Sequence, residues 1–402
     1  MQKTQITQLA ENLRHELSAT RRDFHMHPEL SGQEQRTAGI VADKLREYGL
    51  KVSTGVGGHG VIGLLEGKRD GPIVAWRADM DAVPGDEILN APYKSCVPGV
   101  IHICGHDAHT TIGLGIAQVL AAMRDQVTGQ VKFIFQPAEE TVVGARAIIA
   151  AGGLENPRPS AIFALHIAPL PVGRLGSVAG MVLPGMTAFR IVIKNGTTPA
   201  LINTCLQSIR ALSTVGFPSS AAGLTDFLEA MEAGSDLLER FIVIYCSLNP
   251  EQRGENRQVI EGFARTANEE LWRQVPGLMR AKLEDVLGKA AGAYELEWPE
   301  RMSFPAALNH MGLEEELRPV LDSVVGRENV ARLKNAFPFN SEDFAFYQQQ
   351  IPGVMYWLGA TNLQRGLISV PHMPGFDIDE ECLVIGTKVM ANVLLAYLDY
   401  HQ

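Results

Sequence analysis

The sequence has few cysteines, no long apolar run and no excess of positive charge. Its cysteines, at positions 96, 104, 205, 246 and 382, are odd in number and lack tight spacing. This usage argues against a disulfide framework and is typical of a reducing compartment, so we expect a cytoplasmic protein. The first twenty residues are too polar for a secretory signal, and no apolar run reaches the roughly 18 residues that cross a bilayer.

The charge balance and the length restrict the class of protein further. The formal net charge of -10 argues against nucleic acid or an anionic membrane as a partner. A chain of 402 residues exceeds what one hydrophobic core usually supports, so we expect at least two domains. A hydrophobic content of 46%, a charged content of 20% and 39 glycines are ordinary values for a soluble α/β enzyme.

Strand and helix signals alternate in the first half of the chain. Apolar runs at 131–135 and 161–165 indicate buried strands, and helical patterns at 112–123 and 143–150 separate them. This alternation predicts an α/β fold with a mostly parallel or mixed sheet and helices on both faces.

The pattern changes at Thr187. From there to Trp298 the order of signals is strand, helix, helix, strand, strand, helix, strand, which predicts a small α+β sandwich inserted in the larger domain. We therefore expect a first part of the main domain at 1–186, an inserted domain at 187–300 and a second part of the main domain at 301–402.

The stretch 102–109, His-Ile-Cys-Gly-His-Asp-Ala-His, concentrates chemically active side chains. It places three imidazoles, a thiol and a carboxylate within eight residues. Proteins seldom bury these residue types unless they are paired or bound to a metal. The stretch therefore predicts a functional site.

Further candidate ligands follow the predicted strands. Glu139 and Glu140 come shortly after the strand at 131–135, and His166 directly follows the strand at 161–165. Open α/β sheets collect their functional groups at strand ends, so these side chains should lie close together. A thiolate, imidazoles and a carboxylate form a ligand set that suits a divalent transition metal.

Other polar residues near this stretch allow two interpretations. Asp79 and Asp81 follow the strand at 73–77, where a carboxylate binds metal or orients a ligand imidazole; for Asp81 the alternatives are this orienting role and capping of the strand. For Asp107 and His109 we expect contacts with the ligands or simple packing, and for His25 a capping or packing role at a turn.

Seven short motifs occur in an order that resembles a known enzyme family. They are Arg21-Arg-Asp-Phe-His-Met-His-Pro-Glu-Leu30, Trp76-Arg-Ala-Asp-Met-Asp-Ala-Val-Pro84, Cys104-Gly-His-Asp107, Gln136-Pro-Ala-Glu-Glu140, Ala164-Leu-His166, Ser341-Glu-Asp-Phe344, and His372 ahead of Phe376-Asp377. These motifs resemble the metal-dependent M20 peptidases, in particular the amidohydrolase branch with its aminoacylases, hippurate hydrolases and auxin-conjugate hydrolases.

The resemblance implies a zinc-peptidase-like catalytic domain with a mixed sheet, an inserted lid and dimerisation domain, and two divalent metal ions. The implied roles are a bridging ligand at Cys104, ligands of one ion at His106 and His166, ligands of the other at Glu140 and His372, and a general acid/base at Glu139. Zinc or manganese is expected, and such a donor set also admits cobalt or nickel.

The implied reaction is hydrolysis of the amide bond of an N-acyl amino acid or a related small conjugate by a metal-activated water. Two other hypotheses stay open. One is a catalytically weakened or inactive relative that acts as a binding or regulatory protein, and the other is a dipeptidase of the same architecture. The resemblance also allows a homodimer through the inserted domain.

The inserted domain departs from the family pattern. The family carries a lid histidine that steadies the oxyanion, whereas this chain has no histidine between His166 and His310. Loss of one oxyanion donor typically costs about 100 to 1000-fold in rate, so a replacement would matter. The candidate replacements are Asn195, Thr197, Thr198, Asn256 and Arg257. The residues that bind substrate are not identified by the sequence.

Overall fold

A computed structural model describes residues 2–194, 198–218, 220–250, 257–288 and 294–402. The chain divides into two compact units. The first unit consists of Met1–Gly180, Asn309–Arg332 and Asp343–Gln402, and the second consists of Met181–Leu308 and Leu333–Glu342. The second unit thus begins before residue 187, ends after residue 300, and includes a short segment that the sequence analysis assigned to the main domain.

The helices in the described parts of the chain are α1 (Gln2–Asn12), α2 (Arg14–Met26), α3 (Gln35–Glu47), α4 (His106–Ala122), α5 (Gly144–Ala150), α6 (Pro199–Arg210), α7 (Ala221–Ala233), α8 (Asp236–Glu239), α9 (Glu269–Leu287), α10 (Met311–Val325), α11 (Phe344–Gln348) and α12 (Glu381–Tyr400).

The strands are β1 (Lys51–Val56), β2 (Gly60–Glu66), β3 (Arg69–Asp79), β4 (Val83–Pro84), β5 (Val100–Ile101), β6 (Thr128–Gln136), β7 (Ala161–Pro171), β8 (Leu175–Val178), β9 (Gly180–Leu183), β10 (Met186–Lys194), β11 (Ile242–Leu248), β12 (Arg257–Thr266), β13 (Tyr294–Glu297), β14 (Ala307–Asn309), β15 (Val330–Leu333) and β16 (Gly353–Thr361).

The first unit is built on a mixed sheet of eight strands in the order β1-β2-β6-β3-β7-β16-β8-β15. The four central strands β6, β3, β7 and β16 run parallel to one another, whereas β2 and β8 pair antiparallel to their neighbours. Because helices cover parallel strands on both faces, these strands read as continuous apolar runs, and every residue of β16 is buried. The α/β fold with a mixed sheet is thus confirmed.

Helix α4 lies close to the sheet because it carries glycines on its buried face. A Cβ atom added at Gly113 would come within 3.0 Å of the Phe135 ring and 3.1 Å of the Trp76 indole nitrogen. The small residue therefore allows α4 to approach the sheet closely at this point.

The closing helix α12 is the one described helix that is long and apolar enough to span a membrane, with a mean hydropathy of 1.5 over its most apolar window. The sequence analysis did not single it out because Thr387, Lys388 and Asn392 interrupt its apolar residues. Within the protein, 83% of this window is buried. Packing against helices α4 and α10 of the first unit accounts for its apolar composition.

The second unit contains an antiparallel sheet in the order β11-β12-β10-β13. Helices α6 and α9 pack on one face of this sheet around a separate apolar core that includes Ile191, Ile209, Ile244 and Met279. The expected lid and dimerisation roles of this part of the chain remain predictions.

Candidate metal centre

The candidate site lies in the first unit, where neighbouring parallel strands end. Asp79, the last residue of β3, pairs with Gln136, the last residue of β6, so the segments that carry Asp81 and Glu139 leave the sheet side by side. Strand β7 continues past His166 to Pro171 instead of ending before it as the sequence predicted, because β16 pairs with it from Ile162 to Ala168 and again at Pro171.

Gly105 brings the Cys104 segment to this edge. Its φ angle is +94°, and a Cβ atom there would lie 2.9 Å from the Ile167 side chain. An L side chain would be both strained and crowded in this position. Only glycine therefore allows Cys104 to approach β7 and allows α4 to begin at His106.

The five predicted ligands come together as two groups that share one atom. Cys104, His106 and His166 form one group, and Cys104, Glu140 and His372 form the other; within each group the ligand atoms lie within 4.8 Å of one another. The Cys104 Sγ atom is 3.7 Å from His166 Nε2, and His372 Nε2 is 3.4 Å from Glu140 Oε1. This is the arrangement that a bridging thiolate between two cations requires.

Backbone carbonyls orient two of the imidazoles. His106 Nδ1 lies 2.9 Å from the Asp81 carbonyl oxygen, and His166 Nδ1 lies 2.7 Å from the Ile167 carbonyl oxygen. A carbonyl can only accept, so Nδ1 carries a proton in each ring and Nε2 is the nitrogen left to face the site. Metal-binding histidines are usually held in this way.

Two buried atoms of the site have no hydrogen-bond partner among the described residues. They are His106 Nε2 and Glu140 Oε1, which face each other at 3.9 Å. An orphaned buried polar atom is costly, and an imidazole nitrogen and a carboxylate oxygen directed at one point can bind a cation between them. The pair therefore fits a bound metal ion.

The acid groups of the site are hard to ionise without a cation. Burial raises the pKa of the Cys104 thiol well above its ordinary value, and the nearby Glu140 adds to this rise. Burial likewise raises the pKa of the Glu140 carboxyl to about 7, and this effect outweighs the opposing charge of His106. A divalent ion would supply the missing positive charge, so the donor set fits two cations.

The Asp81 carboxylate holds the backbone of the two glutamates. It accepts the Glu139 N–H at 3.1 Å, the Glu140 N–H at 3.0 Å and the Ser31 hydroxyl at 2.6 Å. Burial opposes its ionisation, but the bonds from His106 and Ser31 lower the pKa of this carboxyl. The structure thus places Asp81 as a support for the two glutamates and for His106, and not as a ligand.

Glu139 lies beside the ligands and outside both groups that share Cys104. One of its oxygens is 3.9 Å from His106 Nε2, and the other accepts the Asp343 N–H at 3.4 Å. Asp343 is itself fixed, since Arg77 and Gln136 both donate to its carboxylate at 2.8 Å. A carboxylate held next to a cation site is in place to exchange protons with a bound water.

Two parts of this arrangement carried no clear signal in the sequence. Glu34 accepts the Ala138 N–H at 2.8 Å and so fixes the turn before Glu139, where Ala138 has a φ of +54°. His372 has a φ of +61° and donates its N–H to the Ile103 carbonyl oxygen at 2.7 Å. Both contacts join residues far apart in the chain, which local patterns do not reveal.

His25 belongs to none of the possible metal-binding groups found among the described residues. Its ring nitrogens lie 2.6 Å from Asp107 and 2.9 Å from Glu87, and Arg21 lies 2.8 Å from the same Asp107 carboxylate. Burial opposes the ionisation of Asp107, but Arg21 and His25 hold the pKa of this carboxyl well below its usual range. This buried network anchors the first turn of α4 next to His106.

The candidate replacements for the lid histidine stay untested. Asn195, Thr197 and Asn256 lie outside the described residues. Thr198 Oγ1 accepts the Leu201 N–H as the N-cap of α6, and Arg257 is exposed at the start of β12.

Comparison with known proteins identifies the family. Residues 75–396 match the peptidase family M20/M25/M40. The chain is 32% identical to N-acetylcysteine deacetylase of Bacillus subtilis over 94% of this chain and 96% of that protein. It is 32% identical to IAA-amino acid hydrolase ILR1-like 4 of Arabidopsis thaliana, over 94% of this chain and 84% of that protein.

A solved structure agrees with this result. The YXEP protein of Bacillus subtilis, described as a dinuclear metal-binding peptidase, superimposes with a TM-score of 0.75 and 30% identity over 97% of this chain and 99% of that one. These comparisons support the predicted family and the expectation of two metal ions. The chain belongs to peptidase family M20/M25/M40 and is a metal-dependent amide hydrolase.

Proposed function

We propose that the protein hydrolyses the amide bond of N-acyl amino acids. The observation that carries this proposal is the pair of ligand groups that share Cys104, with Glu139 held beside them. Two relatives that match nearly the whole chain are named for activity on N-acetylcysteine and on IAA-amino acids, which supports this class of substrate.

The roles of the residues follow from their positions. Cys104, His106 and His166 would hold one cation, and Cys104, Glu140 and His372 the other. Two cations held there would supply a water of lowered pKa and would polarise the scissile carbonyl. The Glu139 carboxylate takes the proton of that water and later donates it to the departing amine nitrogen.

To donate the proton to the amine nitrogen, the Glu139 carboxylate has to stay in place. The Asp343 N–H steadies one oxygen of Glu139 and leaves the other to face the ligands. The Asp81 carboxylate accepts the Glu139 N–H, which fixes the backbone of Glu139 and limits the movement of its side chain away from the ligands. Correct positioning of a reacting group contributes a large part of the rate enhancement in enzymes.

We further propose zinc or manganese as the native metal. A thiolate and three imidazoles suit zinc, while the carboxylate also admits manganese, cobalt or nickel. The five cysteines are all unpaired, which supports a reducing, cytoplasmic location where the Cys104 thiol stays available.

The test is hydrolysis by metal-depleted protein reloaded with zinc or manganese, over a panel of N-acetyl, N-benzoyl and dipeptide substrates. Glu139→Gln keeps the size and hydrogen bonds of the side chain but cannot take a proton, so kcat should fall by about 100- to 10,000-fold while metal content is unchanged. Glu47→Gln, at an exposed position on α3, serves as the matched control.

The outcomes separate the hypotheses. Cleavage of N-acyl amino acids with little activity on dipeptides supports the proposal, and the reverse preference identifies a dipeptidase. If the loaded wild-type protein is no faster than Glu139→Gln on every substrate, hydrolysis is abandoned in favour of a binding or regulatory role.

A further inference from the structure

His109 lies one turn beyond His106 on α4 and is not one of the five ligands. Its side chain is buried, and its ring centroid is 4.6 Å from that of His166. Its Nε2 atom accepts the Ile167 N–H at 2.9 Å. Although His109 could form a third metal-binding group with Asp79 and His106, this bond already occupies the nitrogen that faces β7.

The bond from Ile167 fixes the protonation of the ring. A backbone amide can only donate, so Nε2 of His109 must carry a lone pair. The proton then resides on Nδ1, which donates to Asp79 Oδ1 at 2.6 Å. The other Asp79 oxygen accepts from Arg77 Nη1, so the carboxylate is bound on both sides. The tautomer of His109 is therefore set by Asp79 at one end and by Ile167 at the other.

Ile167 connects this ring to a ligand. Its N–H donates to His109, and its carbonyl oxygen accepts from Nδ1 of His166 at 2.7 Å. The same residue packs where a Cβ on Gly105 would stand, next to Cys104. A shift of the Ile167 backbone would therefore turn the His166 imidazole and disturb the Cys104 segment together.

We propose that His109 is a positioning residue for the cation site of Cys104, His106 and His166. It directs the His166 lone pair through the backbone of Ile167, and Asp79 selects the tautomer that makes this possible. The inference rests on the proposed function in one respect, because it takes His166 as a metal ligand. Residues that orient ligands typically change metal affinity by about 10- to 100-fold when they are replaced.

A matched pair of substitutions separates positioning from packing. His109→Gln places an amide oxygen near the former Nε2 atom and can still accept the Ile167 N–H. His109→Leu fills a similar volume but offers no acceptor, so this amide would be buried without a partner. If His109 only packs, the leucine variant should keep zinc affinity better than the glutamine variant, because leucine is better tolerated at a buried position. If His109 has the proposed role, the glutamine variant should keep zinc affinity better.

The affinity for zinc is measured by competition with a chelator. A His372→Ala background removes one ligand of the other group and leaves Cys104, His106 and His166 in place. There we expect His109→Leu to weaken zinc binding by about 10- to 100-fold and His109→Gln to recover most of the loss. Thermal unfolding of the metal-free variants shows whether each one is folded before its affinity is compared.

A second readout needs neither metal nor activity. In the metal-free wild-type protein, ¹⁵N spectra of the histidine rings should show His109 neutral with its proton on Nδ1. In Asp79→Asn the amide oxygen should turn to Arg77, which has to keep an acceptor, and the NH₂ group should then face His109. The proton should move to Nε2, opposite the Ile167 N–H. In the separate competition assay, the same variant should bind zinc more weakly.

The outcomes are distinct from those of the activity test. The proposal is overturned if His109 carries its proton on Nε2 or on both nitrogens, if leucine and glutamine lose affinity equally, or if wild-type protein binds no cation. If two cations bind and His109 behaves as described while no amide is cleaved, the proposed function fails and the positioning role stands.

Discussion

Replacing Asp81 by alanine should loosen the turn that carries Glu139 and Glu140. In the native protein the two oxygens of this buried carboxylate accept one backbone N–H each, at 3.1 and 3.0 Å. Alanine leaves both amides without an acceptor. Ser31 loses its partner as well, since its hydroxyl bonds to the same carboxylate.

The size of the effect follows from the type of bond. A hydrogen bond to a charged group contributes about 1.5–3 kcal/mol, and about 1.4 kcal/mol corresponds to a factor of ten in an equilibrium constant. Each amide should therefore open about 10 to 150 times more readily than in the wild-type protein. Amide hydrogen exchange reports this local opening directly.

The assay is hydrogen exchange by mass spectrometry on the metal-free protein, followed in a peptide that covers residues 138–143. Asp43→Ala, at an exposed site on α3, is the matched control and should exchange like the wild type in this peptide. A strand such as β10 of the second unit serves as an internal reference. Unchanged exchange in Asp81→Ala would refute the assignment of Asp81 as the support of this turn.

Three further predictions concern the ligands and their neighbours. Because the pKa of the Glu140 carboxyl is about 7 without metal, a cation must displace its proton at lower pH. Zinc affinity, measured by chelator competition, should therefore fall as the pH drops through 7; a constant affinity would contradict the role of Glu140. Cys104→Ser should weaken the binding of both cations, whereas Cys96→Ser, at an exposed cysteine, should leave it unchanged. Elemental analysis after dialysis should show that Cys104→Ser has lost both ions. Loss of one ion alone would argue against a shared thiolate. Gly105→Ala should lower the midpoint of urea unfolding more than Gly99→Ala. Both glycines have a positive φ, which costs alanine about 1–2 kcal/mol, but only at Gly105 would the added Cβ atom also meet another side chain.

The positions of Glu140 and His166 could be predicted because parallel strands bring distant residues to one edge, whereas that of His372 followed only from the family resemblance. Glu140 and His166 each follow an apolar run, and runs of that kind predict buried strands in an α/β fold. The Cys104 segment stood out by its composition alone. These signals are local in the sequence, and the topology converts them into a common site.

The supports of the site could not be predicted in the same way. Glu34 and Ala138 are far apart in the sequence, and so are Asp79 and His109, yet each pair is joined by one hydrogen bond. Which buried group meets which depends on the final packing of loops and helices, and no residue pattern encodes it. The role of His109 was open between ligand contact and packing for this reason.

Secondary structure could likewise be predicted where the signal is local in the sequence, and not where tertiary pairing decides the conformation. Helix α4 was predicted at 112–123 and is observed at His106–Ala122, so its apolar end was found while its first six residues, which are polar or small, were missed. The short strands β8 and β15 were missed, because four residues carry too little periodicity to distinguish a strand from a loop. They form one edge of the large sheet, where tertiary pairing decides the conformation.

We expect Cys104 to be shared by two cations, one completed by His106 and His166 and the other by Glu140 and His372. Anomalous diffraction from crystals grown with zinc or manganese tests it most directly. We predict two anomalous peaks, both in contact with the Cys104 sulfur and each next to its own pair of side chains. A single peak, or peaks that leave Cys104 without a metal contact, would contradict the assignment.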